Sequence, residues 1–261
     1  MRMRTAALLA LIFILLLSNA SLYMMYTNEH AKVVELQRKV EELTAGQTPT
    51  LPPAAQPIAE ATIKAPAVSQ SGEGMVTYIT VAVAEGGGRV LVNTQPYMGV
   101  MFQESARTAV AVASELSGVD ASKLDFVFTV TANATVVEGA SAGAAMTVAA
   151  YSALTGAEIN ATVMITGTIN PDGTIGKVGG ILQKLDAAKK AGSTTFLIPE
   201  GQAVQIVWVR KEKRVETPLG VLIMTYYEPE SVNVKEYAKT VYNITVIEVH
   251  DIEEVLRLML C

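Results

Sequence analysis

A serine and a lysine lie in segments whose composition suits nucleophilic catalysis. Ser141 is surrounded by glycine and alanine over residues 137–146, which would let the backbone of a substrate approach its hydroxyl. Lys184 lies in a second segment, residues 179–188, which begins with two glycines. A hydroxyl is a poor nucleophile until a base takes its proton. The pair therefore predicts a serine nucleophile that is deprotonated by a lysine.

The residues after Ser141 favour a helix, because alanine has the highest helix propensity. A serine at a helix N-terminus lies among backbone N–H groups that have no partner within the helix. Such groups can stabilise the oxyanion that forms during acyl transfer. The backbone N–H groups of Ala140, Ser141 and Ala142 are the expected donors.

The identity of the base stays open when the residues alone are considered. A lysine amine, whose ordinary pKa is about 10.4, becomes neutral near pH 7 only when it is desolvated or placed beside another positive charge. Lys184 lies at the border of an apolar stripe of the predicted helix, but Lys189 lies near that stripe as well. A Ser-His-Asp arrangement would have to use His250, since the other histidine, His30, adjoins the apolar N-terminal segment.

Several ordered motifs of the chain resemble the proteolytic domain of Lon proteases. They are EGASAG at residues 138–143, TGTI at 166–169, VGGILQKLDAAKKAG at 178–192 and FLIPE at 196–200. That family uses a Ser-Lys dyad, so the resemblance implies Ser141 as the nucleophile and Lys184 as the general base. It also implies that Thr166 supports the lysine and that Glu138 is an acidic residue near the site. It implies no metal and no cofactor.

The resemblance covers roughly residues 75–261 and is densest over residues 96–200. The chain departs from the family pattern at Ala140, where some Lon-type enzymes carry an aspartate. It also departs at Val127 and Thr129, where bacterial members can carry histidines. These departures leave the dyad in place, and they leave open the substrate preference and any auxiliary acid.

Length and composition predict one enzymatic domain. Half of the 261 residues are hydrophobic, which is enough for one substantial core, and the segments outside the resemblance are too short for a second. A net charge of −5 without a basic stripe excludes nucleic acid as a partner. The single cysteine, Cys261, cannot form a disulfide within the chain, and is either inert or a crosslink between subunits.

The N-terminal residues have the pattern of a membrane anchor. Residues 1–5 are basic and residues 6–26 are almost wholly apolar, which is about the length that a helix needs to cross a bilayer. Arg2 and Arg4 should stay in the cytoplasm, so the rest of the chain is expected outside it, as the catalytic domain of a single-pass membrane protein. Secretion after signal cleavage is the alternative, because residues 18–20 resemble a cleavage site.

Two connecting segments are predicted between the anchor and the domain. Residues 27–47 indicate a short helical or coiled-coil stalk, because Val33, Leu36, Val40 and Leu43 follow heptad spacing. Residues 48–74 are rich in proline and alanine, which is typical of an extended linker. The protease domain is then expected over residues 75–261.

The pattern of the domain predicts a mixed α/β (α+β) fold, and the resemblance implies the Lon-type protease fold. Strands are predicted at residues 77–84 and 89–93 on either side of a glycine turn, and at 124–131, 195–198 and 244–249. Further strands are predicted at 163–169 and 174–178, on either side of an Asn-Pro-Asp-Gly turn. Helices are predicted at 102–116, 141–154, after residue 180 and at 252–260.

These observations predict a membrane-tethered serine endopeptidase that works without ATP on unfolded proteins or peptides. The sequence contains no Gly-x-x-x-x-Gly-Lys-Ser/Thr phosphate loop, and the nearest segment, residues 173–178, lacks the hydroxyl residue. The resemblance further implies a homo-oligomer, since Lon proteins form rings. Two alternatives remain: a Lon-like domain that binds or assembles without catalysis, and a small-molecule kinase of the GHMP type, whose phosphate loop has a similar glycine-rich segment.

Overall fold

The chain divides into two units, Met1–Ala54 and Ala55–Cys261. The computed structural model describes residues 57–69, 71–93, 96–133, 136–217 and 220–261, together with separate positions between 24 and 39. The predicted basic terminus, residues 1–5, and nearly all of the predicted membrane span, residues 6–26, lie outside the described residues, as do the heptad positions of the predicted stalk. Among the described residues, no helix has the length and apolar character needed to cross a bilayer.

The second unit alternates strands and helices. The strands are β1 Ala59–Val68, β2 Gly74–Glu85, β3 Val90–Val92, β4 Tyr97–Met98, β5 Leu124–Thr131, β6 Val136–Val137, β7 Val163–Ile165, β8 Thr168–Ile169, β9 Ile175–Gly176, β10 Thr195–Pro199, β11 Val204–Thr217, β12 Gly220–Asn233 and β13 Thr245–Val249. The helices are α1 Val100–Ser117, α2 Gly143–Thr155, α3 Ile181–Lys190, α4 Val234–Tyr237, which continues as a π-helical segment Ala238–Tyr242, and α5 Ile252–Met259. The mixed α/β class predicted from the sequence is confirmed.

The first core lies against a four-stranded sheet of order β1-β2-β5-β3. Phe126, Phe128 and Val130 alternate along β5 and are all buried, so one face of that strand is turned to the core. Helices α1 and α2 contribute to the same cluster. Helix α2 is buried along nearly its whole length, as expected of a helix with an apolar surface on every side.

The second sheet lies between two cores. Its strands β13-β10-β7 are all parallel, and Phe196, Leu197 and Ile198 of β10 are buried in succession. Leu197 belongs to the first core, whereas Phe196 and Ile198 pack with Ile181 and Leu185 of α3 in the second. A parallel sheet covered on both faces has this continuous apolar pattern. Helix α3 is therefore held by its apolar stripe against β10.

The prediction that residues 48–74 form an extended linker is wrong from Ala59 onward. Strand β1 pairs with β2 along its whole length, from Ala59 opposite Val83 to Val68 opposite Gly74. Ile63 and Ala65 are buried in the core, whereas the side chains of an extended linker would be exposed to solvent. Proline is tolerated in β1 because this strand lies at the edge of the sheet.

Strands β2 and β3, which were predicted on either side of a glycine turn, do not pair with each other, because β5 lies between them. Asp125, at the start of β5, accepts hydrogen bonds from the backbone N–H groups of Gly87 and Arg89 at 3.0 and 2.9 Å. It also forms an ion pair with the Arg89 guanidinium. These contacts hold the glycine turn around β5 and lower the pKa of the Asp125 carboxyl through the Arg89 hydrogen bonds. Strand β3 then runs parallel to β5.

Candidate active site

Ser141 lies in a turn between β6 and α2. Gly139, two residues before it, has φ of +95°, a conformation that favours glycine. The N–H of Gly143 donates to the carbonyl of Ala140 at 3.0 Å and closes the turn. The helix begins at Gly143 and not at Ser141 as predicted, because this turn occupies the two preceding residues.

The serine turn is held against the segment that joins β7 and β8. The carbonyl of Ser141 accepts hydrogen bonds from the N–H of Gly167 at 3.0 Å and from Thr166 Oγ1 at 3.2 Å. Gly143 lies so close to Ile169 that a Cβ on the glycine would be 2.7 Å from the Ile169 nitrogen. Residue 143 must therefore be a glycine, because the backbone of Ile169 approaches it closely.

Lys184 lies in the first turn of α3 and is buried, with 4% of its surface exposed. Its Nζ donates a hydrogen bond to Thr166 Oγ1 at 3.1 Å. Burial disfavours the charged form of the amine, and lowers the pKa of Lys184 from 10.5 to about 8. The apolar stripe of the helix thus desolvates Lys184, whereas Lys189 is exposed and donates to the carbonyl of Tyr242.

The β1–β2 hairpin fixes the position of the lysine helix. Gly74 lies against the backbone of α3, where a Cβ would be 1.8 Å from the Gln183 carbonyl oxygen. Lys190 Nζ donates to the carbonyl of Gly74 at 3.2 Å, and Lys64 Nζ donates to the carbonyl of Ala191 at the same distance. The segment predicted as a linker is therefore part of the scaffold of the site.

Ser141 and Lys184 line the same cavity, whose volume is about 780 Å³. Within the described residues, no hydrogen bond joins the Ser141 hydroxyl to the Lys184 amine; Thr166 Oγ1 bonds the Lys184 amine and the backbone carbonyl of Ser141. The walls come from β1–β2, from the serine turn and from the loop before α3, and they include Ala67, Val68, Met75, Glu138, Gly139, Lys177, Val178 and Gly180.

The other predicted site residues surround the serine. In the part of the chain that the structure describes, the backbone N–H groups of Ala140, Ser141 and Ala142 make no hydrogen bond, so they are free to bind a ligand oxygen. Glu138 lines the cavity but is exposed, and its side chain makes no hydrogen bond to another described residue. It covers Gly99, where a Cβ would be 2.9 Å from Glu138 Cγ.

His250, the alternative base, lies elsewhere. It is exposed, pairs with Glu200 at 2.9 Å and lines a different depression together with Asp172 and Asp251. No histidine is among the described residues that line the serine cavity. The described residues also contain no cluster of histidine, cysteine and carboxylate side chains suited to hold a metal.

Comparison with known proteins identifies a family to which this sequence is similar. Residues 61–228, which are more than half of the chain, match the family described as Lon protease (S16) C-terminal proteolytic domain. The match begins inside β1, within the segment that the sequence predicted as a linker.

Individual relatives agree with the family match. Lon protease 2 of Syntrophobacter fumaroxidans is 36% identical over 132 residues, which are 48% of this chain and 16% of that protein. Lon protease of Dictyoglomus thermophilum is 29% identical over 187 residues, or 69% of this chain and 22% of that protein. Lon protease of Vibrio parahaemolyticus is 38% identical over 109 residues, or 40% of this chain and 14% of that protein. The matched region is thus less than a quarter of the length of these relatives.

Proposed function

Because this chain belongs to the family of Lon protease C-terminal proteolytic domains, and is thus a serine peptidase domain, we propose that Ser141 is its nucleophile and Lys184 its general base. The observation that carries the proposal is the burial of Lys184 beside the cavity that Ser141 lines. A pKa of about 8 leaves about one amine in ten neutral at pH 7. An exposed lysine would be almost wholly charged at that pH.

The proposed reaction moves one proton in each step. Ser141 Oγ forms a bond to the scissile carbonyl carbon while its proton passes to the neutral Lys184 amine. The resulting ammonium then gives that proton to the amide nitrogen as the C–N bond breaks, which releases the amine and leaves an acyl-enzyme. Water, losing a proton to Lys184, attacks the acyl carbon; the ester bond to Ser141 Oγ then breaks, Oγ takes the proton from Lys184, and the carboxylic acid product leaves. Side-chain rotation must first bring the hydroxyl to the amine, as is common in sites without substrate.

Thr166 is proposed to orient the amine. Its single hydroxyl proton is donated to the Ser141 carbonyl, so its oxygen is left to accept from Lys184. A neutral amine has two N–H donors and one lone pair. With one donor held by Thr166, the lone pair can be turned toward the serine hydroxyl.

The free N–H groups of Ala140, Ser141 and Ala142 are proposed as the oxyanion donors. They lie immediately before α2, where the helix dipole favours negative charge. Fixed donors in a partly enclosed cavity stabilise a tetrahedral intermediate more than water does. Glu138 is proposed as a supporting acidic residue at the rim of the same cavity.

The proposed substrates are unfolded proteins and peptides, cleaved internally and without ATP. An extended backbone can enter this partly enclosed cavity, whose volume is about 780 Å³. Independence from ATP is part of the proposal because the proposed reaction uses Ser141, Lys184 and backbone donors and consumes no nucleotide. The apolar segment at residues 6–26 supports a membrane tether with the peptidase outside the cytoplasm, and family membership supports a homo-oligomer.

The test compares cleavage of an unstructured protein by the full chain and by three variants without added nucleotide. Ser141→Ala and Lys184→Ala are expected to lose at least about a thousandfold in rate. Lys189→Ala is the matched control, since Lys189 lies on the same helix but is exposed, and it should retain activity. Undiminished cleavage by either dyad variant would refute the assignment. No cleavage by the wild type, and no labelling by a serine-directed probe, would instead favour the non-catalytic alternative.

A further inference from the structure

The β11–β12 hairpin leaves its strand edges without partner strands. The two strands pair from Val204 opposite Asn233 to Thr217 opposite Gly220, and in the described chain they form a sheet of two strands alone. Each strand has 14 residues, or roughly 46 Å at about 3.3 Å per residue. Unpaired backbone groups along a strand edge can bind an extended polypeptide.

One face of this hairpin exposes large apolar side chains. Ile206 and Trp208 are 70% and 67% exposed, and they share a face because side chains alternate along a strand. Tyr227 lies opposite Arg210 on that face and is 61% exposed. The opposite face also exposes Leu222, Met224 and Tyr226, and exposed apolar groups of this kind mark interaction sites. We refer to Ile206, Trp208 and Tyr227 as the hairpin face.

The base of the hairpin is fixed to the rim of the serine cavity. Gln202 accepts from the Val178 N–H at 2.9 Å and donates to the Val178 carbonyl at 2.7 Å, and Val178 lines the cavity. Glu248 accepts from the N–H groups of Gly201 and Ala203 at 2.9 and 3.2 Å. The first residues of β11 therefore have a defined position relative to Ser141 and Lys184.

We propose that the hairpin face is a docking surface for an extended apolar segment of the polypeptide substrate. The inference rests on the proposed peptidase function. Its support is the continuity between the hairpin base and the cavity rim, together with the free edges and apolar side chains that an unfolded chain would contact. An unfolded substrate exposes the apolar residues and backbone groups that this surface can bind.

The position of Trp208 sets a minimum substrate length. Trp208 is six residues beyond Gln202, so it lies up to about 20 Å along the chain from the residue that binds Val178 at the cavity rim. A polypeptide that leaves the cavity and runs along β11 must therefore extend about six residues past the rim to reach Trp208. Longer substrates gain this contact, and tetrapeptides do not.

The direct test uses fluorescence, because Trp208 is the single tryptophan of the chain. The full-length Ser141→Ala variant is mixed with an unstructured 30-residue peptide that is rich in Leu and Phe and lacks Trp. A saturable shift of emission to shorter wavelength is expected as the peptide covers the indole. No shift at peptide concentrations that saturate cleavage by the wild type would overturn the proposal. A shift produced by self-association or by phosphatidylcholine vesicles, but not by the peptide, would do the same.

A kinetic test separates this proposal from the peptidase assignment. Trp208→Ser should raise KM for the 30-residue peptide on the order of tenfold relative to KM for a tetrapeptide. Met224→Ser, which alters an exposed residue on the opposite face of the hairpin, should leave that ratio unchanged. An equal effect of Trp208→Ser on both substrates would contradict docking while the peptidase function stands. Loss of cleavage of both substrates only in dyad variants supports the peptidase function independently.

Discussion

Lys184 Nζ donates a hydrogen bond to Thr166 Oγ1 at 3.1 Å, and both side chains are buried. The same threonine hydroxyl donates to the carbonyl of Ser141 at 3.2 Å. One hydroxyl thus connects the lysine helix to the serine turn, because it donates to the Ser141 carbonyl and accepts from the Lys184 amine. The relative position of the proposed nucleophile and base depends on this residue.

Replacing Thr166 by valine should lower kcat by about ten- to a hundredfold with little change in KM, because the amine loses the acceptor that orients it. Loss of that acceptor also disfavours the ammonium, so the midpoint of the pH–rate profile should move to lower pH. Thr166→Ser is the matched control and should restore both values. An unchanged midpoint in the valine variant would show that Thr166 contributes only packing and does not hydrogen-bond the amine.

Replacing Lys184 by methionine should abolish activity and stabilise the fold. The folded-state pKa of about 8 is below the ordinary value of 10.5. Burial of the ammonium therefore destabilises the folded protein, and this penalty has its full size below pH 8. This penalty decreases as pH rises from about 8 to 10.5. The variant should therefore unfold at higher urea concentration at pH 7, by up to about 3 kcal/mol in free energy of unfolding.

The stability gain of Lys184→Met should shrink between pH 8 and 10 in the same urea experiment. Lys189→Met changes an exposed side chain on the same helix and should shift the free energy of unfolding little at any of these pH values. A gain that is constant with pH, or no gain at pH 7, would show that the Lys184 amine is not desolvated.

Replacing Gly143 by alanine should disturb the serine turn. The added Cβ would be 2.7 Å from the nitrogen and 2.8 Å from Cγ2 of Ile169, so the backbone must shift. We expect a loss of about 1–3 kcal/mol in free energy of unfolding and a larger loss in kcat/KM than this destabilisation explains. Gly87→Ala, where no neighbouring atom lies within 4 Å, should change neither quantity. Full activity in Gly143→Ala would mean that the turn tolerates displacement.

The sequence predicted those elements whose signals are local. Helix α1 ends before Gly118 and α2 before Gly156, both in the left-handed conformation that glycine favours, within one residue of the ends predicted at 116 and 154. The apolar stripe of α3 suggested that Lys184 could be desolvated, but Lys189 had a similar place in the pattern. Only the packing of α3 against β10 distinguishes the buried lysine from the exposed one.

Features that depend on distant contacts were not predictable from local composition. Strand β1 has the proline and alanine content of a spacer, and its pairing with β2 is visible only once Ile63 and Ala65 are seen in the core. The order β2-β5-β3 depends on Asp125, which binds the glycine turn from another strand. The β11–β12 hairpin was missed because apolar and charged residues are mixed on its faces. No local sequence pattern predicts the hydrogen bonds of Gln202 with Val178, which is 24 residues away in the chain.

Activation of Ser141 by Lys184 can be measured directly as labelling of the full chain by a fluorophosphonate probe as a function of pH. We expect a covalent adduct on Ser141, found by peptide mass analysis, and a labelling rate that rises with pH to a plateau with its midpoint at about 8. Lys184→Arg, which stays charged, should label at least about a hundredfold more slowly over the same range. An adduct on another residue, or wild-type labelling that does not depend on pH, would contradict a serine activated by the neutral amine of Lys184.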